Sequence, residues 1–213
     1  MTLTLIKDLT FVTAAMTMLL PLVAFVVIML FTRSREQLSS RLSIGAVTGS
    51  LAGAVFLLVQ YRHLESPIQY NGQWMVSGDI SVPVGFLLDP LSLLMLIIVT
   101  AICFLVQIYS LGYMAGDKGF SRYYAFMSLF AWAMISLTLS SSMLQLYVFW
   151  ELVGLSSYFL IGFWYEKFSA SEAGKKAFVM TRFGDVAFMI GLLLVLMNLG
   201  NLDIQKINGP MVK

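Results

Sequence analysis

The sequence predicts an all-α integral membrane protein with about six transmembrane helices and a short outer-face β-hairpin between the second and third. Three observations carry this reading. The 213 residues are 59% hydrophobic and only 11% charged, where a soluble domain usually carries about a quarter charged residues. Mean hydropathy is +0.87, so hydrocarbon surrounds most of the chain. Six apolar runs approach the roughly 20 residues that a bilayer-crossing helix needs. No internal repeat, low-complexity tract or flexible linker separates them, and residues 1–213 read as a single polytopic membrane domain.

The first run covers about 9–31. Its approach, MTLTLIKDLTFVTAAM, lacks a basic n-region followed by a small-residue cleavage site, so it reads as a retained span and not a signal peptide. The second run covers about 42–61. The segment 62–88, RHLESPIQYNGQWMVSGDISVPVGFLL, carries NG, SGD and the strand-favouring QWMV and ISVPV, which predict a hairpin. Pro83 has no N–H to offer a ladder and confines its strand to an edge or a bulge. His63, the one histidine, stands beside Arg62 and Glu65 and reads as solvated. LLDPLS opens the third run (about 90–111), with Asp89 suited to the N-cap and Pro90 to the first helical position. Cys103 lies inside that run as a small hydrophobe. The fourth run (123–141) and the fifth (143–164) meet at Ser140–Ser142, a tight helical hairpin. The sixth covers 177–199, with Ser171 and Glu172 placed to cap its start. GNLDIQKINGPMVK, residues 200–213, reads as the start of a loop toward a further helix. The chain is therefore expected to be a piece of a longer design, or half of a split subunit completed by another chain.

Basic residues set the orientation. With the N-terminus outside, the inner side holds Arg33, Arg35, Arg41, Lys118, Arg122, Lys167, Lys175 and Lys176, with Arg182 just within the sixth run. The outer side keeps Lys7, Arg62, Lys206 and Lys213, which makes nine against four. That excess predicts an outside N-terminus.

Three ionisable residues remain inside the runs: Glu151, Arg182 and Asp185. A carboxylate in hydrocarbon costs several kcal/mol unless it is paired, hydrated or protonated. Glu151 lies about 12 Å from the outer end of its helix at 1.5 Å per residue, too deep for a short side chain to reach water. It must face a protein interior or a wet cavity. Arg182 and Asp185, three apart, share a helix face and can pair. Antiparallel packing of the fifth and sixth helices brings Glu151 and Asp185 within a turn or two, and such a cluster can take up a proton when neighbouring charge shifts. Lys175 and Lys176 sit near the inner surface, as snorkelling side chains or as positions that admit protons. Gly154, Gly162, Gly184 and Gly191, with Ser156 and Ser157, are small enough for helices to approach there. The aromatic cluster around Trp150, Tyr158, Phe163, Trp164 and Tyr165 reads mainly as packing and interface anchoring. The fourteen methionines read as filling.

Several functions are excluded. There is no GxGxxG, GxxxxGK[ST], CxxC or HExxH, and one His cannot pair across a haem. One cysteine supports neither a disulfide framework nor a thiolate metal site. A net charge of +2 is too small for nucleic-acid binding. Energy for transport must come from another subunit or an ion gradient.

FLLDPLSLLM, YSLGYMAGDKGFSRYYAFMSLFAWAMISL and LQLYVFWELVGLSSYFLIGFWYEKFSASEAGKKAFVMTRFGD together resemble the N-terminal third of the L-type, antiporter-like subunit of NADH–quinone oxidoreductase, respiratory complex I. The resemblance covers essentially the whole chain and is strongest over about 86–191. It implies a proton-translocating membrane-arm subunit without a redox cofactor of its own; NADH, FMN, iron–sulfur clusters and quinone are expected only in other subunits. Glu151 would be the proton-carrying acid, with Arg182 and Asp185 in its network. Relatives pair that Glu with a Lys on a seventh helix, which lies beyond Lys213, and Thr181 stands where Asn is common. Implied partners are other membrane-arm subunits, including any chain that supplies the later helices, and the lipid of a bacterial inner membrane, with no nucleic acid. The large subunit of multisubunit sodium/proton antiporters shares this pattern and is the alternative. A scaffold in which the three charges form a static network is a third reading.

Overall fold

The computed structural model describes residues 2–61, 67–77 and 80–208, apart from the side chains of residues 2–7 and 75–81. Arg62, His63, Glu65, Gly78, Asp79 and Lys213 fall outside the described residues. The described residues form six long helices: α1 Thr2–Val27, α2 Glu36–Tyr61, α3 Pro90–Tyr113, α4 Phe120–Thr138, α5 Met143–Ile161 and α6 Phe168–Leu199. A π-helical turn, Ile28–Thr32, continues α1, and a short α7, Ile204–Asn208, follows α6. Strands β1 (Ile68–Ser77) and β2 (Ile80–Leu88) pair antiparallel between α2 and α3.

Among the described residues, five of these helices are long and apolar enough to cross a membrane; α4 is the exception. Arg122, Tyr123, Tyr124 and the serines at 121, 128 and 136 lower its apolarity. No α4 residue is exposed, and a helix shielded by protein has no need of lipid-facing apolar side chains. The sixth helix begins at Phe168, nine residues before the expected start at 177. Its N-cap is Lys167, which makes no side-chain cap bond, so Ser171 and Glu172 lie inside the helix and do not cap it. The run KFSASEAGKK is polar enough to resemble a loop, yet Ala and the long charged side chains are good helix formers.

The chain divides into two compact units. The first comprises residues 1–66 and 90–135. Large apolar side chains such as Leu30, Phe31, Leu91 and Leu105 are exposed, while small and polar residues are buried, the pattern of helices that meet closely in lipid. Ser50 Oγ donates to the Thr17 carbonyl at 2.8 Å. A Cβ on Gly53 would collide with Thr17 Oγ1, so α1 and α2 need glycine there. Among α2, α3 and α4, Ser43 Oγ donates to Gln107 Oε1 at 3.0 Å and lies 2.7 Å from Ser128 Oγ. Tyr124 donates its hydroxyl to the Gln107 carbonyl at 2.9 Å.

The second unit comprises residues 67–89 and 136–213. NG sits within β1, Asn71 opposite Gly85 and Gly72 opposite Val84, and so does not form the hairpin turn. The ladder slips between Gln73, opposite Pro83, and Met75, opposite Val82, leaving Trp74 as the extra residue. Pro83 therefore stands at a bulge, where no ladder N–H is required of it. Ser142 caps α5, its Oγ accepting from Gln145 N at 3.2 Å. The serine link also ties into its surroundings. Leu87 N donates to the Leu139 carbonyl at 3.0 Å, and Met143 N to the Leu202 carbonyl at 2.8 Å. Gln145 makes a two-way bond with Gly85, accepting from its N–H at 2.9 Å and donating to its carbonyl at 3.0 Å. Buried Asp203 accepts from Gln69 Nε2 and Asn71 Nδ2, both at 3.0 Å, and from Gln205 N at 3.0 Å.

Candidate functional site

Helices α5 and α6 run antiparallel and in register. Tyr147 meets Phe188, Trp150 meets Asp185, Glu151 meets Arg182, and Tyr158 meets Phe178. The short turn after Gly162 fixes this pairing. At the turn end the backbones come close, a Cβ on Gly174 lying 3.3 Å from Gly162 Cα. Gly154 clears space for Arg182, since a Cβ there would lie 3.0 Å from Nη2. Among the described residues, a Cβ on Gly184 or Gly191 would meet nothing within 4 Å, so α5 does not approach α6 at those two positions.

The three ionisable residues form one cluster. Arg182 makes an ion pair with Glu151 and reaches Asp185 Oδ2 at 3.4 Å. Its guanidinium also lies 4.5 Å from the centre of the Phe178 ring, an arrangement that favours a cation. Asp185 is the most enclosed, its side chain 7% exposed against 22% for Glu151. Trp150 donates its indole N–H to Asp185 Oδ1 at 3.0 Å. One edge of the Asp185 carboxylate therefore faces the indole and the other the guanidinium.

Trp150 was legible only as an aromatic in an aromatic-rich helix. A weak signal was available: an indole N–H in hydrocarbon requires an acceptor, and the polar acceptors in this pair of helices are few. Lys175 and Lys176 are not part of the cluster. They lie in the first half of α6, both exposed, and Lys175 pairs with Glu172 at 3.0 Å. About 9 Å of helix separates Lys176 from Arg182. Among the described residues no group of three or more His, Cys, Asp or Glu could hold a metal ion, and Cys103 is buried as a free thiol.

The chemistry of the cluster follows from its charge count. The charged residues of α5 and α6 at this depth are two carboxylates and one guanidinium. With both acids ionised, these three groups of α5 and α6 sum to one negative charge, which an added proton or a further cation would offset.

Comparison with known proteins agrees with this architecture. Residues 74–124 match the family described as NADH-ubiquinone oxidoreductase (complex I), chain 5 N-terminus. Residues 140–211 match NADH:quinone oxidoreductase/Mrp antiporter, TM. The chain is 38% identical over 182 residues to the chloroplast NAD(P)H-quinone oxidoreductase subunit 5 of Anthoceros angustus, covering 82% of this chain and 25% of that one. It is 40% identical over 163 residues to NAD(P)H-quinone oxidoreductase chain 5 of a Picosynechococcus species, covering 76% and 24%. Among solved structures, a chain of the membrane-bound sulfane sulfur reductase, an archaeal respiratory membrane complex, superposes with a TM-score of 0.76 at 19% identity, covering 89% of this chain and 38% of that one. That last likeness shows the fold alone. The chain spans about a quarter of the length of the curated relatives it matches, less than the third expected from its motifs. It belongs to the family of antiporter-like membrane subunits of the NADH:quinone oxidoreductases and Mrp antiporters, and corresponds to the N-terminal part of the chain 5 type.

Proposed function

We propose that this multi-pass membrane chain is part of a proton-translocating membrane-arm subunit of an NADH–quinone oxidoreductase, and that Glu151, Arg182 and Asp185 carry its proton. Quinone reduction in other subunits would shift charge near the cluster, which then takes a proton from one side and releases it toward the other. This chain supplies no redox chemistry; NADH, FMN, iron–sulfur clusters and quinone belong to partner subunits. Its partners are other membrane-arm subunits, including whatever supplies the later helices, in a bacterial inner membrane with the N-terminus outside. Lys175 and Lys176, on the exposed first half of α6, would draw protons toward the inner mouth. The observation that carries the proposal is the pair of acids sharing one guanidinium between two membrane helices.

The energies match. Moving one charge across 100 mV requires about 2.3 kcal/mol, while each tenfold change in proton affinity supplies about 1.4 kcal/mol. A change of roughly a hundredfold at the cluster therefore drives one proton against a typical membrane potential. Glu151→Gln, in the reconstituted complex, is expected to reduce proton translocation to the leak level while leaving assembly intact. Unchanged translocation in that variant would mean that the three charges form a static network. A second reading, a subunit of a sodium/proton antiporter, draws on the match over 140–211, whose family covers both kinds of complex. Ion flux driven by a sodium gradient, without NADH, separates the two.

A further inference from the structure

We propose that the first unit binds an ordered water molecule on the side-chain amide of Gln107, where α2, α3 and α4 meet. The inference goes beyond the proton-carrying reading and uses no residue of that cluster. Gln107 is fully buried, as are Ser43, Tyr124 and Ser128 around it. Ser43 Oγ lies 3.0 Å from Gln107 Oε1, 2.7 Å from Ser128 Oγ and 3.3 Å from the Tyr124 carbonyl. The amide nitrogen Nε2 carries two N–H donors, and among the described residues it has no acceptor. Turning the amide over does not help, because Ser43 can serve either atom and the other is left in the same place. Gln107 has no exposed surface, so neither lipid nor a further chain can reach in to supply the partner.

A buried polar group without a partner is costly, and a water that bonds it removes the cost. Water suits this place because it both donates and accepts. Ser43 has one hydroxyl hydrogen for three neighbouring oxygens, so lone pairs on Ser128 Oγ and the Tyr124 carbonyl stay open to a further donor. The cluster thus offers a water both a donor and acceptors. The route in is short and polar. Gln107, Ser43 and Ser128 lie roughly 10 Å from the end of α3 and the starts of α2 and α4, at 1.5 Å per residue. One turn nearer the end of α3, Ser110 Oγ and the Tyr123 hydroxyl pair at 2.9 Å. Buried Ser121, seven residues before Ser128 on the same face of α4, likewise has a hydroxyl with no partner among the described residues.

A cryo-electron-microscopy map of the assembled complex that resolves ordered water tests this. Isolated density is expected at about 2.7–3.2 Å from the amide atom of Gln107 that does not face Ser43. Gln107→Met keeps an unbranched side chain of similar length and removes the amide, so that density should be lost while waters elsewhere in the map remain. Should the variant fail to assemble, the wild-type map still decides. A protein atom within hydrogen-bond distance of that amide atom would overturn the proposal, as would apolar packing against it with no density between. Density that stays in place in Gln107→Met would show that the water does not depend on the amide, and would overturn it too. Because the site shares no residue with Glu151, Arg182 and Asp185, none of these outcomes bears on the proton-carrying reading.

Discussion

At the scale of single residues, charge was the informative signal. Glu151, Arg182 and Asp185 were legible because an ionisable side chain deep in an apolar run has few tolerable situations, and the i, i+3 spacing of the last two already forces them onto one face. Their neutral supports were not legible. Trp150 reaches Asp185 across helices, through a distance that no spacing along one helix encodes, while Phe178 lies one turn before Arg182 on α6, where nothing in the sequence marked the ring as its support. Gly154 is intermediate: the sequence offered it among four glycines as a site of close approach, and the structure assigns it to the Arg182 guanidinium. A branched side chain there would push Nη2 away from the acids. Gly154→Val is expected to lower proton translocation roughly ten- to a hundredfold, as misplacement of a reacting group does. Gly184→Ala is the control, since that position has nothing within 4 Å and the change should leave transport unaltered. Equal losses in both variants would point to general helix damage and not to Arg182.

At the scale of elements, apolar length marked α1, α2, α3, α5 and the later part of α6. Pro83 confined its strand to an edge or a bulge, and the register shift opposite it makes it a bulge. What escaped was the polar start of α6 and the role of the segment after it. At about 48 Å, the 32 residues of α6 exceed the roughly 30 Å hydrocarbon core. Its first turns therefore project beyond that core, which explains their polar composition. Asp203 read as an ordinary loop acid because its donors, Gln69 and Asn71, lie more than 130 residues earlier. In the structure it fastens the end of α6 to the β-hairpin, and its burial makes the donors dependent on it. Asp203→Ala is expected to weaken this clasp by about 3 kcal/mol, or roughly a hundredfold in the opening equilibrium. Hydrogen exchange of the amides of residues 204–207 should rise accordingly, while exchange in the middle of α3, within the other unit, stays as it was. Asp203→Asn should be nearly as damaging, because an amide NH2 turned toward Gln69 or Asn71 opposes donor to donor.

At the scale of the whole molecule, the remaining question is which way the chain faces. Lys, Arg and their counterparts give the argument: Arg33, Arg35, Lys118 and Lys167 all fall in the links after odd-numbered helices or at their edges. If each of the six long helices crosses once, those links share a side, and the excess of basic residues predicts that this side faces the cell interior. The hairpin between α2 and α3 then faces out. Two exposed positions report on this directly: Ser34, in the link between α1 and α2, and Gln73, in β1. Cys103, the one native thiol, is buried and contributes little background. In sealed right-side-out cells, a membrane-impermeant maleimide is expected to label Gln73→Cys and to spare Ser34→Cys until the membrane is opened. In inverted vesicles the two should exchange. The reverse pattern would invert the proposed topology and with it the direction of proton uptake. Labelling of both positions from one side would mean that an odd number of helices fails to cross between them, and α2 alone separates the two.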